Sequence, residues 1–223
     1  LAATALSVFV TTVQAQKLTP ERDIIGTCKT PEQQAMKLRI TIWFHNYESW
    51  NVAKLYEKAH PEYISWHASR AFQAANTPAD KIETLPFGNG LYNKSGFIEN
   101  LAKIAFRYGM DNYLVTLNRI DCLGNDTAVV STTFNGTALV RNPTTGEAIY
   151  KYQLKDIPTR FTIVEKDQLI YRYVVDLADE TSLNLSVEIG KLMKGPSNVT
   201  AGEFRALKYE DLLKDFQKKI SAS

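Results

Sequence analysis

Apolar residues along this chain keep a helical rhythm over the first third and change to a strand rhythm past residue 110. In TPEQQAMKLRITIWFHNYESW (30–50), Met36, Ile40, Trp43, Tyr47 and Trp50 recur at spacings of four and three, which places them on one face of a helix. Thr30 is positioned to cap that helix, Pro31 suits its first turn, and Gln33 completes a capping box. A second, short helix is predicted in NVAKLYEKA (51–59), with Val52, Leu55, Tyr56 and Ala59 inward and a stop before Pro61. EYISWHAS (62–69) reads as a strand, followed by about twenty residues rich in Asn, Thr, Pro and Gly, a loop length typical of lids. A third helix is expected over SGFIENLAKIAFRYG (95–109), burying Phe97, Leu101, Ile104 and Tyr108 and ending at Gly109.

Four β-branched and aromatic runs follow: NYLVTLNRID, AVVSTTFNGTALV, AIYKYQLKDIPTRFTIV and LIYRYVVDL. Turn signals at Gly124-Asn125, residues 142–146 and Glu165-Lys166-Asp167 separate them, so an antiparallel meander of long, bent strands is expected. The tail starts as a Gly/Pro/Ser linker and becomes a helix, with Thr200 and Glu203 as its expected capping box and Leu207, Leu212, Phe216 and Ile220 as its apolar stripe. That stripe is expected to dock on the domain or on a second subunit.

Composition narrows the classes. With 44% hydrophobic and 22% charged residues, the 223-residue chain has the makeup of an ordinary globular protein. A net charge of +2 with no basic block leaves no phosphate footprint, so nucleic acid is not an expected partner. The opening stretch LAATALSVFVTTVQAQ is apolar, uncharged and shorter than the ~20 residues of a spanning helix; Val13-Gln14-Ala15 has the pattern cut by signal peptidase. It is read as the tail of a secretory signal, the alternatives being a buried first helix or a membrane anchor; no membrane contact is expected after its removal. Sequons at Asn93, Asn125, Asn135, Asn184 and Asn198 agree with a secreted, N-glycosylated protein. Cys28 and Cys122 either pair in that setting or remain separate buried thiols; spacing leaves both open. The expected divisions are a signal remnant (1–15), an N-terminal segment (16–30), a principal domain (31–177) and a C-terminal linker and helix (178–223).

The order helix, helix, strand, loop, helix and four antiparallel strands resembles the cone-shaped α+β fold of the nuclear transport factor 2 superfamily. Three stretches are similar to its SnoaL-like and ketosteroid-isomerase branch: NYESWNVAKLYEKAHPEYISWH, NKSGFIENLAKI and RFTIVEKDQLIYRYVVD. The resemblance implies a curved antiparallel sheet wrapped around the long first helix, enclosing an apolar pocket into which Trp43, Tyr47 and Trp50 look. Aligning HPEYISWH with the strand that carries the isomerases' catalytic carboxylate puts His67 at the position of the base, with Ser65 on the same side. A histidine there is suited to proton transfer near neutral pH. Tyr47 stands one turn from Trp43, which falls near the isomerases' tyrosine donor. An outward Asn135 sends Val130, Thr132 and Phe134 inward by strand alternation unless a bulge intervenes, making Phe134 a wall. Asp176, near the end of the last strand, is a further inward candidate.

His45 and His60 are expected on the surface, and three scattered histidines lack metal-ligand spacing. No phosphate loop or nucleophile elbow occurs either, so neither a metal nor a cofactor is expected. The resemblance thus leads to a secreted pocket protein holding a small hydrophobic molecule, with cofactor-free isomerase, dehydratase or cyclase chemistry through His67 and Tyr47. The rivals are a binder without turnover, and a homodimerising interaction protein whose cone is filled.

Overall fold

The computed structural model describes residues 24–66, 91–110, 113–142, 144–175 and 204–223. The expected leader, His67 with the loop behind it, Asp176, and the sequons at Asn184 and Asn198 lie outside them.

Helix α1 (Pro31–Glu48) starts at the capping box: Thr30 Oγ1 accepts from the Gln33 N–H and Gln33 Oε1 from the Thr30 N–H, both at 3.3 Å. Trp50, at φ 53, turns the chain into α2 (Val52–Lys58), where the Asn51 side chain accepts from the Lys54 N–H. Helix α3 (Lys94–Tyr108) is capped by Asn93, whose Oδ1 accepts from the Gly96 N–H at 2.9 Å, and ends at Gly109, where φ of 68 favours glycine.

Around α1 curves one open seven-stranded sheet, giving the cone-shaped α+β fold. Its strands are β1 (Ile25–Gly26), β2 (Ala59–Trp66), β3 (Leu91–Asn93), β4 (Leu114–Cys122), β5 (Thr127–Arg141), β6 (Ala148–Lys166) and β7 (Leu169–Val175), in the order β1-β4-β5-β6-β7-β2-β3. Strands β4 to β7 form the expected meander. Strand β2 adds beyond it, parallel to β7, which brings the first third of the chain against the last strand. The β5–β6 register shifts between Phe134 and Gly136, where Asn135 Oδ1 accepts from the N–H of Asp156, itself at φ 53. Val130 and Thr132 are buried inward of that bulge, and Phe134 packs on the core.

Two expectations need correction. His60 is buried, not on the surface: its Nδ1 accepts from the Glu62 N–H at 3.0 Å, its Nε2 lies 3.5 Å from Asp167, and its ring meets Tyr171 edge-on. Its position at the start of β2 beside the β6–β7 turn covers most of the ring, and the two polar partners compensate it. The C-terminal helix α4 (Tyr209–Ser221) excludes Leu207, which was expected on its apolar stripe, and has Lys208 as an N-cap lacking a side-chain bond; the expected box residues Thr200 and Glu203 lie outside the described residues. Leu207 instead precedes the helix and gives its N–H to the Gly146 carbonyl. A Cβ on Gly146 would stand 1.9 Å from the Leu207 oxygen, so this docking needs glycine. Phe216 and Leu212 are buried in the same core as α1, seating α4 on the domain.

Arg141 fastens this arrangement, donating to the carbonyls of Phe106, Gly146 and Arg205 at 2.7–2.8 Å. Arg141→Met is expected to cost about 2 kcal/mol, because buried carbonyls lose charged donors. Denaturant midpoints measure the loss, and faster amide exchange in α4 than in α1 locates it.

Cys28 and Cys122 are joined by a disulfide with Cα atoms 4.9 Å apart, closing a separation of 94 residues. Arg39 on α1 meets Glu165 on β6 through three bonds of 2.6–3.1 Å. These two ties hold opposite flanks of α1 to the sheet.

Candidate functional site

Helical periodicity on α1 and alternation on β2 and β7 turn a set of aromatic side chains toward one another. Trp43, only 1% exposed, lies flat against Phe97 of α3 at 5.6 Å between ring centroids. Tyr63 of β2 approaches it at 6.1 Å and Tyr173 of β7 at 6.3 Å. Tyr47, one turn further along α1, stacks parallel to Tyr173 at 6.4 Å. Beyond Tyr47 a second group gathers on Tyr113: Trp50 at 5.1 Å, Phe134 at 5.0 Å and Tyr108 at 6.2 Å.

Among the described residues, the first group contains three buried polar atoms with no hydrogen-bond partner outside the group: Trp43 Nε1 has none at all, and Tyr63 OH and Ser65 Oγ have only each other. Residues 63 and 65 share one face of β2. Ser65 is in register with Tyr173, which ties the three atoms to one region. A buried polar group left unpaired costs about 1–3 kcal/mol, and native cores contain few of them. Burial pushes the Tyr63 phenol up, with the neighbouring Ser65 hydroxyl opposing it, so the phenol stays a neutral donor through physiological pH. Tyr47 moves the same way, first from burial and then from the proximity of Tyr63. Tyr173 is held well above the usual phenol range by burial and by its tyrosine neighbours.

The second group has a carboxyl beside it. Glu48, at the C-terminal end of α1, is 1% exposed, and its Oε1 has no partner among the described residues. Burial pushes its pKa up to about 7, against the pull of the Val115 backbone N–H.

Of the sequence candidates, the structure thus brings Trp43, Tyr47 and Ser65 into one cluster and Trp50 and Phe134 into the adjoining one; His67 and Asp176 are outside the described residues. Tyr63, Tyr173, Tyr113 and Glu48 were not anticipated. Alternation from Ser65 is enough to point to Tyr63, whereas Tyr173 joins only through the parallel β2–β7 pairing. Glu48 follows Tyr47 on a helix whose polar positions read as solvent-facing, so its burial left no sequence signal. No group of three or more His, Cys, Asp or Glu suited to a metal ion occurs among the described residues, and no helix among them is long and apolar enough to cross a membrane.

No family model matches the chain. No curated protein matches it either. Solved structures of similar shape include a candidate SnoaL-like polyketide cyclase from Jannaschia sp. CCS1, at 14% identity over 70% of this chain and 96% of that one, with a TM-score of 0.47. Another from Shewanella putrefaciens CN-32 shares 10% identity over 72% of this chain and 98% of its own, TM-score 0.47. A candidate polyketide cyclase from Xanthomonas campestris pv. campestris shares 10% identity over 68% and 97%, TM-score 0.44. At such values no residue corresponds to another with meaning. What the topology and the lining define is a cone-fold protein with an aromatic interior and a small set of incompletely paired polar atoms inside it.

Proposed function

We propose that this is a secreted pocket protein of the cone fold, whose interior takes a small, largely apolar molecule bearing one polar edge. One observation carries the reading: Trp43 Nε1 is buried without a partner, and Tyr63 OH and Ser65 Oγ in the same aromatic region have no partner beyond each other. In a core with no other task the unpaired Trp43 N–H alone would cost about 1–3 kcal/mol, and the hydroxyl pair leaves further bonding capacity unused. A ligand hydroxyl or carbonyl reaching them removes that cost, and the rings of Phe97, Tyr173 and Tyr47 supply apolar contact. His67 stands two positions beyond Ser65 in the sequence and is the proposed base for proton transfer on the bound molecule, with the Tyr47 phenol as donor. Exposed Asn125, in the β4–β5 turn, agrees with glycosylation of a secreted chain.

Packing of Trp43 on Phe97 and of Phe134 on Tyr108 and Tyr113 favours a second reading, a filled cone in an interaction protein that dimerises. Native mass spectrometry of the secreted protein separates the two, since the first predicts a co-purifying small molecule. Tyr63→Phe is expected to weaken that molecule about tenfold while leaving stability unchanged or raised by about 1 kcal/mol, because an incompletely paired hydroxyl is removed. A ligand-free protein in which Tyr63→Phe alters nothing would sink the pocket reading. Unchanged turnover in His67→Ala removes that residue as base while leaving binding intact.

A further inference from the structure

Two acids are buried among the described residues, Glu165 and Glu48. Glu165 has its counter-charge in Arg39, within 2.6 Å. Glu48 has no basic partner among the described residues, and its Oε1 accepts nothing. Next to it lies the Tyr113 phenol, which feels the Glu48 charge and is raised well above the usual range chiefly by burial. Around Tyr113 stand Trp50, Phe134 and Tyr108, at 5.0–6.2 Å between centroids.

We propose that this corner of the cone is a binding site for a small organic cation, an amine or quaternary ammonium head, neutralising the Glu48 carboxylate against the faces of Trp50, Tyr113, Tyr108 and Phe134. An uncompensated buried carboxylate repels anions, and a neutral molecule leaves its desolvation cost in place; a cation removes it. Aromatic faces attract the same charge, within about 6 Å of a ring centroid. Arg107 already uses the rim in this way, its guanidinium 5.6 Å from the Tyr108 centroid. Divalent metals ask for several oxygen ligands, whereas this corner offers one carboxylate and rings. The titratable and charged groups facing the carboxyl are Tyr113, then Tyr47 and Tyr108 around Tyr113, with Arg107 outside. Only Glu48 changes charge near neutrality among the phenols and carboxyl of this corner, so binding strengthens as pH rises through about 7.

The experiment is a calorimetric titration of the full chain with choline chloride and with 3,3-dimethylbutan-1-ol, its uncharged carbon isostere. At pH 8 choline is expected to bind at least tenfold more tightly than the alcohol, and the preference is expected to vanish at pH 5.5 and in Glu48→Gln. Tyr63→Phe, which removes a hydroxyl of the adjoining cluster and no part of this corner, leaves choline binding unchanged, so the two proposals fail separately. No choline binding at pH 8, or a preference that persists in Glu48→Gln, overturns the assignment. If that variant folds poorly, the wild-type pH series decides alone, a pH-independent preference being the negative result.

Discussion

Replacing both Cys28 and Cys122 by alanine is expected to lower the unfolding free energy by about 4–5 kcal/mol, the chain-entropy value for a 94-residue loop. The size follows from where the bond sits. Cys28 precedes the Thr30 cap of α1, and Cys122 is the last residue of β4, so the bridge clamps the start of the central helix to the sheet it packs on. Without it, the N-terminal segment is held by a two-residue parallel pairing of Ile25 and Gly26 with Arg119 and Ile120, the burial of Ile24, and bonds from Lys37 Nζ to the Ile24 carbonyl and from Gln34 Nε2 to the Cys28 carbonyl. Urea denaturation with and without reductant measures the loss. The midpoint shifts while the slope rises slightly, because the unlinked chain exposes more surface. Peptide mapping under non-reducing conditions must also find the two cysteines in one linked peptide. A loss below about 1 kcal/mol, against the 2–5 usual for a native bridge, would return the pair to separate thiols.

How far such a structure can be read from its sequence depends on the length over which a pattern repeats. The start of helix α1 was legible to the residue, because Thr30, Pro31 and Gln33 encode it and Met36, Ile40, Trp43 and Tyr47 keep its period; Trp50, read on the same face, falls past its end at Glu48. The meander was legible for the same reason, each strand being long enough to show alternation. Strands β1 and β3 were not, since two or three residues contain no period. The parallel β2–β7 pairing depends on contacts more than a hundred residues apart, and with it went the approach of Tyr63 and Tyr173 to Trp43. For the site, large aromatics on one helix face announced Trp43 and Tyr47, but burial of a carboxylate is set by what covers it. Glu48 is covered by elements the sequence places far away, Val115 of β4 and Tyr113 before it. Helix α4 shows the reverse error: Leu207 was read as part of its apolar stripe but precedes the helix, because docking through Gly146 and Arg141 holds the chain extended there.

Glu48→Gln is expected to stabilise the protein at pH 8 and to do so far less at pH 4.5. In the unfolded chain this carboxyl ionises near its ordinary value of 4.5, and in the folded protein burial holds the proton until about pH 7. Between those values the folded state binds one more proton than the unfolded state, so stability falls as pH rises. The contribution is fully present below pH 4.5 and is lost by the time pH has passed about 7. Its span is about 3 kcal/mol at most, from 1.36 kcal/mol per pH unit of displacement. The amide avoids the ionisation and so removes the fall. Its own NH2 group enters a site with few acceptors, subtracting about 1 kcal/mol at every pH. The decisive quantity is therefore the difference between pH 8 and pH 4.5 in the mutant-minus-wild-type unfolding free energy, in which that constant cancels. A difference near 3 kcal/mol means a carboxylate without a counter-charge, the condition on which the cation site rests. A difference near zero means that Glu48 is compensated in solution, and the choline preference should then be absent as well. In wild type, saturating choline at pH 8 should recover part of the same loss, because a ligand bound only by the folded state raises its stability by mass action.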